Sequence, residues 1–175
     1  MSWRGATLAL MTVVLTGCAS QMSGVYYAGA MQKLGPPKAG QARIVVFQEN
    51  PSGVSFEKTA CDVKLDGALI GKLPPGTYVY ADRPAGQHQI VVTESLFPGE
   101  TTRDVTLQAG RTYFFASKAS SRRNTVTGLG MAGGLAGVVI ASAVTSGSDN
   151  PGPVDLSPID EASARLAIAE LQLAQ

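Results

Sequence analysis

The chain has 175 residues, enough for one domain of ordinary size plus appendages. Aliphatic and aromatic residues make up 45%, which excludes global disorder, and 14 Lys and Arg stand against 13 Asp and Glu, which argues against a nucleic-acid binder with its clustered basic excess. Only 15% of residues are charged, against a usual value of about 25%, and glycine is over-represented, with 20 residues.

The first segment reads as a targeting signal. Met1 to Gly5 carries one cation, Arg4, and Ala6 to Leu15 is apolar apart from two threonines. A charged start, a short apolar stretch and small residues after it are too short for a permanent membrane span and match a secretory leader. Its end, Leu15-Thr16-Gly17-Cys18, resembles the lipobox of bacterial lipoproteins. That resemblance implies cleavage between Gly17 and Cys18 and a thioether-linked diacylglyceryl group on Cys18. A further acyl chain would sit on the new amino terminus in many bacteria. One acyl chain holds only marginally, whereas two or three on one residue hold durably. Ala19 and Ser20 follow the cysteine in place of an aspartate, a pattern that in two-membrane bacteria implies transfer to the outer membrane, facing the periplasm.

Loss of residues 1–17 would leave 158 residues, with 13 cations, 13 anions and no tryptophan, since Trp3 and Arg4 go with the leader. Cys61 would then be the sole unmodified thiol, so no intramolecular disulfide is expected. It alternates with Val63 and Leu65 and reads as a buried core thiol.

Residues 18–41 read as a flexible tether. Gly24, Gly29, Gly35 and Gly40 punctuate it, Pro36-Pro37 interrupts it, and no period is sustained. The glycines of Gly35 to Gly40 have P-loop spacing, but the lysine and hydroxyl of that motif are missing and the prolines remove the needed amides.

Residues 42–118 read as β. Arg43-Ile-Val-Val-Phe47 is rich in β-branched and aromatic residues, and Cys61 to Asp66 alternates strictly before the turn signal Asp66-Gly67. Ala68 to Ile70, Thr77 to Ala81, His88 to Val92, Val105 to Leu107 and Thr112 to Phe115 complete seven short strands, with turn signals between them. No helical stretch separates the strands, so the expected fold is mainly β, a small antiparallel β-sandwich. Tyr78, Tyr80, Tyr113, Phe114 and Phe115 are expected in its core rather than as an exposed stacking platform.

Five motifs in this stretch carry a family resemblance. They are Val63-Lys-Leu-Asp-Gly67, Ile70-Gly71-Lys-Leu73, Gly76-Thr-Tyr-Val-Tyr80, Pro84-Ala-Gly86-Gln-His88 and Ala109-Gly-Arg-Thr-Tyr-Phe114. In order they resemble a bacterial lipoprotein family known as domain of unknown function 2846, over about residues 42–118. The first half also resembles the short PEGA-type β modules of envelope proteins. The resemblance implies a fold class and a location, and it supplies no catalytic residue.

Residues 119–149 form a glycine-rich apolar segment without a charge from Asn124 to Ser148. Val126 to Val144 is 19 residues, about 28 Å as a helix. Gly130 and Gly134 are four apart, as are Gly133 and Gly137, with Ala141 continuing the second row. Small residues at this spacing let helices approach closely. A span of the inner membrane would keep Lys118, Arg122 and Arg123 outside, against the usual bias of cations toward the cytoplasm. A zipper-like helix packed in an oligomer or against the outer membrane, or a plain connector, fits better. Residues 150–175 hold a breaker, Asn150-Pro-Gly-Pro153, and then an expected amphipathic helix over Pro158 to Leu173, capped by Ser157. Its stripe would be Ile159, Ala162, Leu166, Ala169 and Leu173, packing on its own domain or on a partner.

Residues for chemistry are sparse. His88 is the sole histidine and sits in a strand pattern, so a hydrogen-bonded structural role is expected. No nucleophile elbow, metal-ligand cluster or dinucleotide fingerprint occurs, and no cofactor or metal is expected. Two functions remain. One is a lipid-anchored envelope protein with a structural or protein-interaction role, bound to membrane lipid through Cys18. It would associate with itself or an envelope partner through Gly130, Gly133, Gly134, Gly137 and Ala141. The other is a small-ligand or cell-wall binding module, with a pocket near the loops Pro74–Gly76 and Arg83–Gly86.

Overall fold

The computed structural model describes residues 25–50, 59–95, 97–144 and 150–174. All seven expected strands are present: β1 (Gln41–Gln48), β2 (Cys61–Leu65), β3 (Ala68–Leu73), β4 (Thr77–Pro84), β5 (Gly86–Glu94), β6 (Thr101–Leu107) and β7 (Thr112–Ala119). Two more, β8 (Val154–Ile159) and β9 (Gln172–Leu173), come from the tail. They form two sheets, a five-stranded one in the order β8-β7-β1-β4-β9 and a four-stranded one in the order β3-β2-β5-β6.

The sandwich is not antiparallel throughout. β1 pairs with β7 in parallel, and β4 with β9 likewise. A parallel pair needs a long crossover, and here it passes through the second sheet: the chain leaves β1 for β2 and β3, returns as β4, leaves again for β5 and β6, and comes back as β7 alongside β1. The sandwich therefore has two distinct ends. One, the turn pole, carries Asp66-Gly67, Pro84 to Gly86 and Gln108 to Arg111. The other, the exit pole, carries Gln48, Thr77, Glu94 and Ala119, and the helix α2 (Ser121–Val144) starts from it.

Alternation explains the inner core. Cys61, Val63 and Leu65 on β2, Ile90 and Val92 on β5 and Ile44 and Val46 on β1 are buried between the sheets. The β1 run is buried on both faces, however, and Val45 and Phe47 point into a second core on the outside of the five-stranded sheet. That core corrects two expectations. Part of the tether is ordered: α1 (Tyr27–Leu34) lies across the outer face, with Tyr27 and Ala30 buried. The Tyr27 ring meets those of Tyr78 and Phe114 edge-on, with centroids 5.5 and 6.1 Å away.

The tail is corrected too. Residues 154–159 are strand, with Val154 and Leu156 buried and Asp155 and Ser157 exposed. Pro158 is tolerated because β8 is an edge strand. The helix α3 is short (Glu161–Ala167), and its cap is Asp160, whose carboxylate accepts from the Ser163 amide at 3.0 Å. Its buried side is Ala164, continued by Ile168 and Leu171, whereas Leu166 of the expected stripe is 82% exposed. Of the five aromatic residues, Tyr78, Phe114 and Phe115 are buried as expected, and Tyr80 and Tyr113 half-buried.

Val63 has no exposure, and Lys64 beside it points to the outer face of the second sheet. Val63→Asp should cost about 3–5 kcal/mol, the penalty of an uncompensated buried charge, and Lys64→Asp about 1 kcal/mol or less. Chemical denaturation of the two variants checks this, and equal losses would mean the facing of β2 has been misassigned.

Candidate functional site

Arg43 lines a cleft on the outer face of the five-stranded sheet. Its side chain leaves β1 on the outer face and is buried, yet its charge is matched. Nε and Nη2 donate to the two oxygens of Asp82 at 2.7 and 2.8 Å, and Nη1 donates to the Gly35 carbonyl at 2.9 Å. The Met31 sulfur lies 3.2 Å from Nη1, and the Tyr80 ring centroid lies 5.4 Å from the guanidinium carbon. The hydrogen bond to Asp82 holds the Arg43 pKa above its ordinary range against the opposing effect of burial. Such a bidentate pair is geometrically specific, and here it ties the end of α1 to β1 and β4. Between α1, the start of β7 and the β8–α3 corner lies a cleft of about 760 Å³. Tyr27, Phe114 and Ile159 supply its apolar surface, and Arg111 and Arg165 lie at its margin. Arg165 is already held by Glu161 at 2.7 Å.

A polar cluster sits at the turn pole. Asp66 adopts a left-handed backbone, φ 54°, which aspartate tolerates in turns. Its Oδ2 lies 2.7 Å from His88 Nδ1 and 3.6 Å from Arg83 Nε, and its Oδ1 accepts from the Gln89 amide at 3.1 Å. His88 Nε2 faces the Pro84 carbonyl at 2.9 Å. Both partners of the ring only accept, so a ring protonated on both nitrogens makes both bonds and a neutral ring makes one. Partial desolvation of Asp66 raises its pKa, but the bonds from His88 and the Gln89 amide together outweigh it and leave the carboxyl below the ordinary range. His88 thus joins the β2–β3 turn to the β4–β5 turn, the hydrogen-bonded role expected of it. A shallower cleft of about 450 Å³ adjoins the cluster, with Gln87, Gln89, Asp104 and Thr106 on its walls.

The root of α2 is fixed at the exit pole. Arg123 donates to both oxygens of Glu94 at 2.6 and 3.0 Å, with both side chains nearly buried. Arg122 donates to the Pro98 and Pro151 carbonyls and stacks on Phe97, 5.0 Å from the ring centroid. Ser120 Oγ donates to the Gly152 carbonyl at 2.7 Å. Further along, Gly134 takes φ 60° and ψ −146°, outside helical geometry, so α2 is two helical pieces meeting at a kink. Gly130 and Gly133 precede the kink, and Gly137 and Ala141 follow it. Gly17 and Cys18 lie outside the described residues.

Cys61 is buried, and burial, helped by the nearby Glu94, pushes its thiol up to about 12. Among the described residues no group of three or more His, Cys, Asp or Glu side chains could hold a metal ion. The end pocket expected between Pro74–Gly76 and Arg83–Gly86 is ruled out by topology, because β4 runs from one loop to the other and places them at opposite poles. The Arg43 cleft was missed for a related reason. Its walls, α1 and the β8–α3 corner, come from segments read as tether and tail.

Residues 38–131, more than half of the chain, match the model of a family described as "Protein of unknown function (DUF2846)". Comparison with curated proteins finds no match.

A depressed carboxyl pKa stabilises the fold above the unfolded value of about 4 and loses that contribution as pH falls through the folded value. Asp66→Asn keeps a residue tolerant of the left-handed turn and removes the titration. Between about pH 5 and pH 3, the melting temperature of this variant should fall less steeply than that of the parent. Identical slopes would show that the Asp66–His88 contact contributes nothing on acidification. Cys61 should remain unlabelled by a thiol reagent in the native protein and react on unfolding.

Proposed function

The chain belongs to that family, whose members carry no assigned activity, and from this premise we propose that it is a lipid-anchored protein of the bacterial cell envelope with a structural or protein-interaction role. The observation that carries the reading is Leu15-Thr16-Gly17-Cys18 at the end of a leader with one cation and an apolar stretch. Two or three acyl chains on Cys18 would hold the protein at a membrane, with the outer membrane as the destination and the periplasm as the compartment. The match to a family of unknown function is compatible with this reading and adds no reaction to it. His88 and Cys61 both have structural places: both His88 nitrogens face acceptors and Cys61 lies in the core.

A second reading, binding of a small ligand, is favoured by the Arg43 cleft. Its volume of about 760 Å³ falls within the range of small-molecule sites, about 300–1,000 Å³, and it combines aromatic surface with a few polar groups. Loss of the tyrosine ring in Tyr27→Ala should abolish such binding. It should also destabilise the fold by about 3 kcal/mol, as for other large-to-small core changes.

Cys18→Ser tests the first reading. The variant should leave the membrane fraction and fail to incorporate labelled fatty acid, while its β domain melts as in the parent. A serine variant that stays membrane-bound and equally labelled would end the lipoprotein assignment.

A further inference from the structure

The segments on either side of the sandwich leave from the same pole. Val25 is built into the five-stranded sheet: its carbonyl accepts from the Leu173 amide at 2.9 Å and from the Tyr78 hydroxyl at 3.2 Å, and Tyr26 bridges Gln172. Tyr78 pairs with Phe47, one residue from the exit end of β1. β7 runs parallel to β1, so its end, Ala119, reaches the same pole, and α2 begins two residues later. Cys18 stands seven residues before Val25. A fully extended chain reaches at most about 3.6 Å per residue, so this pole lies within about 25 Å of whatever holds Cys18.

α2 has 24 residues, about 36 Å of helix at 1.5 Å per residue, which exceeds that reach. Its first turn does not swing freely, because the Arg123–Glu94 pair and the Arg122 contacts fix it to the sandwich. Val126 is still buried, but beyond it Leu129 is 44% and Met131 68% exposed. No residue from Asn124 to Ser148 carries a charge. Among the described residues no helix is long and apolar enough to cross a membrane, and the Gly134 kink divides this one. Beyond Arg123 the helix is uncharged and bent, exposes apolar side chains, and is rooted within reach of the lipid anchor.

We propose that α2 lies in the surface of the same bilayer that holds Cys18, giving the protein two attachments at one pole, acyl chains and helix. This rests on the lipid-anchor reading. The partner is a phospholipid surface, and its recognition is by apolar burial with no headgroup specificity. The consequence is orientation: the turn pole, with Asp66, Arg83 and His88, faces away from the membrane.

The chain is suited to a direct test, since its one tryptophan, Trp3, precedes the cleavage point. Met131→Trp and, separately, Leu69→Trp would be introduced into the full acylated protein. Leu69 is 56% exposed on β3 beside the Asp66-Gly67 turn, at the far pole. Each variant would be reconstituted with phosphatidylcholine vesicles, with and without dibrominated phosphatidylcholine. The Met131→Trp emission should shift to the blue and lose intensity to the brominated lipid, whereas that of Leu69→Trp should stay at water-exposed wavelengths and be unaffected.

Flotation of the parent and of Cys18→Ser reads the anchor separately. If flotation depends on Cys18 but the Met131→Trp emission is untouched by brominated lipid, α2 does not bind the bilayer and the proposal is overturned. A blue shift that rises with protein concentration, without lipid quenching, also overturns it and assigns the helix to a second copy. If both variants are quenched, the orientation is wrong. If Cys18→Ser floats as well as the parent and the Met131→Trp emission is quenched, the helix contact stands while the lipid-anchor reading falls.

Discussion

Strand β1 carries apolar side chains to both faces of its sheet, Ile44 and Val46 toward the second sheet and Val45 and Phe47 away from it. A sandwich of two layers covers only one of those faces. Leaving residues of this size in water forgoes about 1.5–3 kcal/mol for each, so a third layer has to be recruited. It comes from the segments before and after the β region: α1 on one side and α3 with its following turn on the other, meeting over Tyr78 and Phe114. The family match covers residues 38–131, and much of the layer that covers β1 lies outside it.

Arg43 sits in this same strand, with a charge where the outer core meets the cleft. Its guanidinium spends its donors on Asp82 and on the carbonyl that ends α1, so the third layer is held by directional bonds at the turn pole and by aromatic packing at the exit pole. The parallel pairing of β1 with β7 has an equally wide reach. It brings the end of β7, and with it the root of α2, to the pole where β1 ends.

The seven strands of the two inner layers were legible because alternation and turn residues act locally. Cys61 to Asp66 alternates cleanly, and Asp66-Gly67 supplies the left-handed turn that joins β2 to β3. Direction was not legible, because a parallel or antiparallel partner is chosen by the crossover and leaves no mark in the strand. The tail misled for a physical reason. Ser157-Pro158-Ile-Asp160 satisfies the chemistry of a helix start, and an edge strand tolerates the same proline. Val154 and Leu156 did alternate, but a two-residue signal cannot outweigh a cap. The run Tyr26 to Leu34 lacks a capping side chain, and only the uncovered face of β1, visible once the sheet is assembled, explains why it is helical. As for the cleft, none of its walls is local to any other, so no short motif announces it.

The stitching of residues far apart in the chain bears on how the protein reaches its native state. Leu173 bonds to Val25 and pairs with Tyr78, and β8 completes the other edge of the same sheet only after residue 159 is in place. Pairings at such sequence separation form slowly, because loop closure must be met before any contact rewards it. A chain emerging from the ribosome amino terminus first holds β1 to β7 well before either edge strand arrives. During that interval both margins of the five-stranded sheet are open to foreign strands. The time spent emerging is therefore a window of vulnerability, and holdase protection of the nascent chain matters most just before β8 and β9 appear.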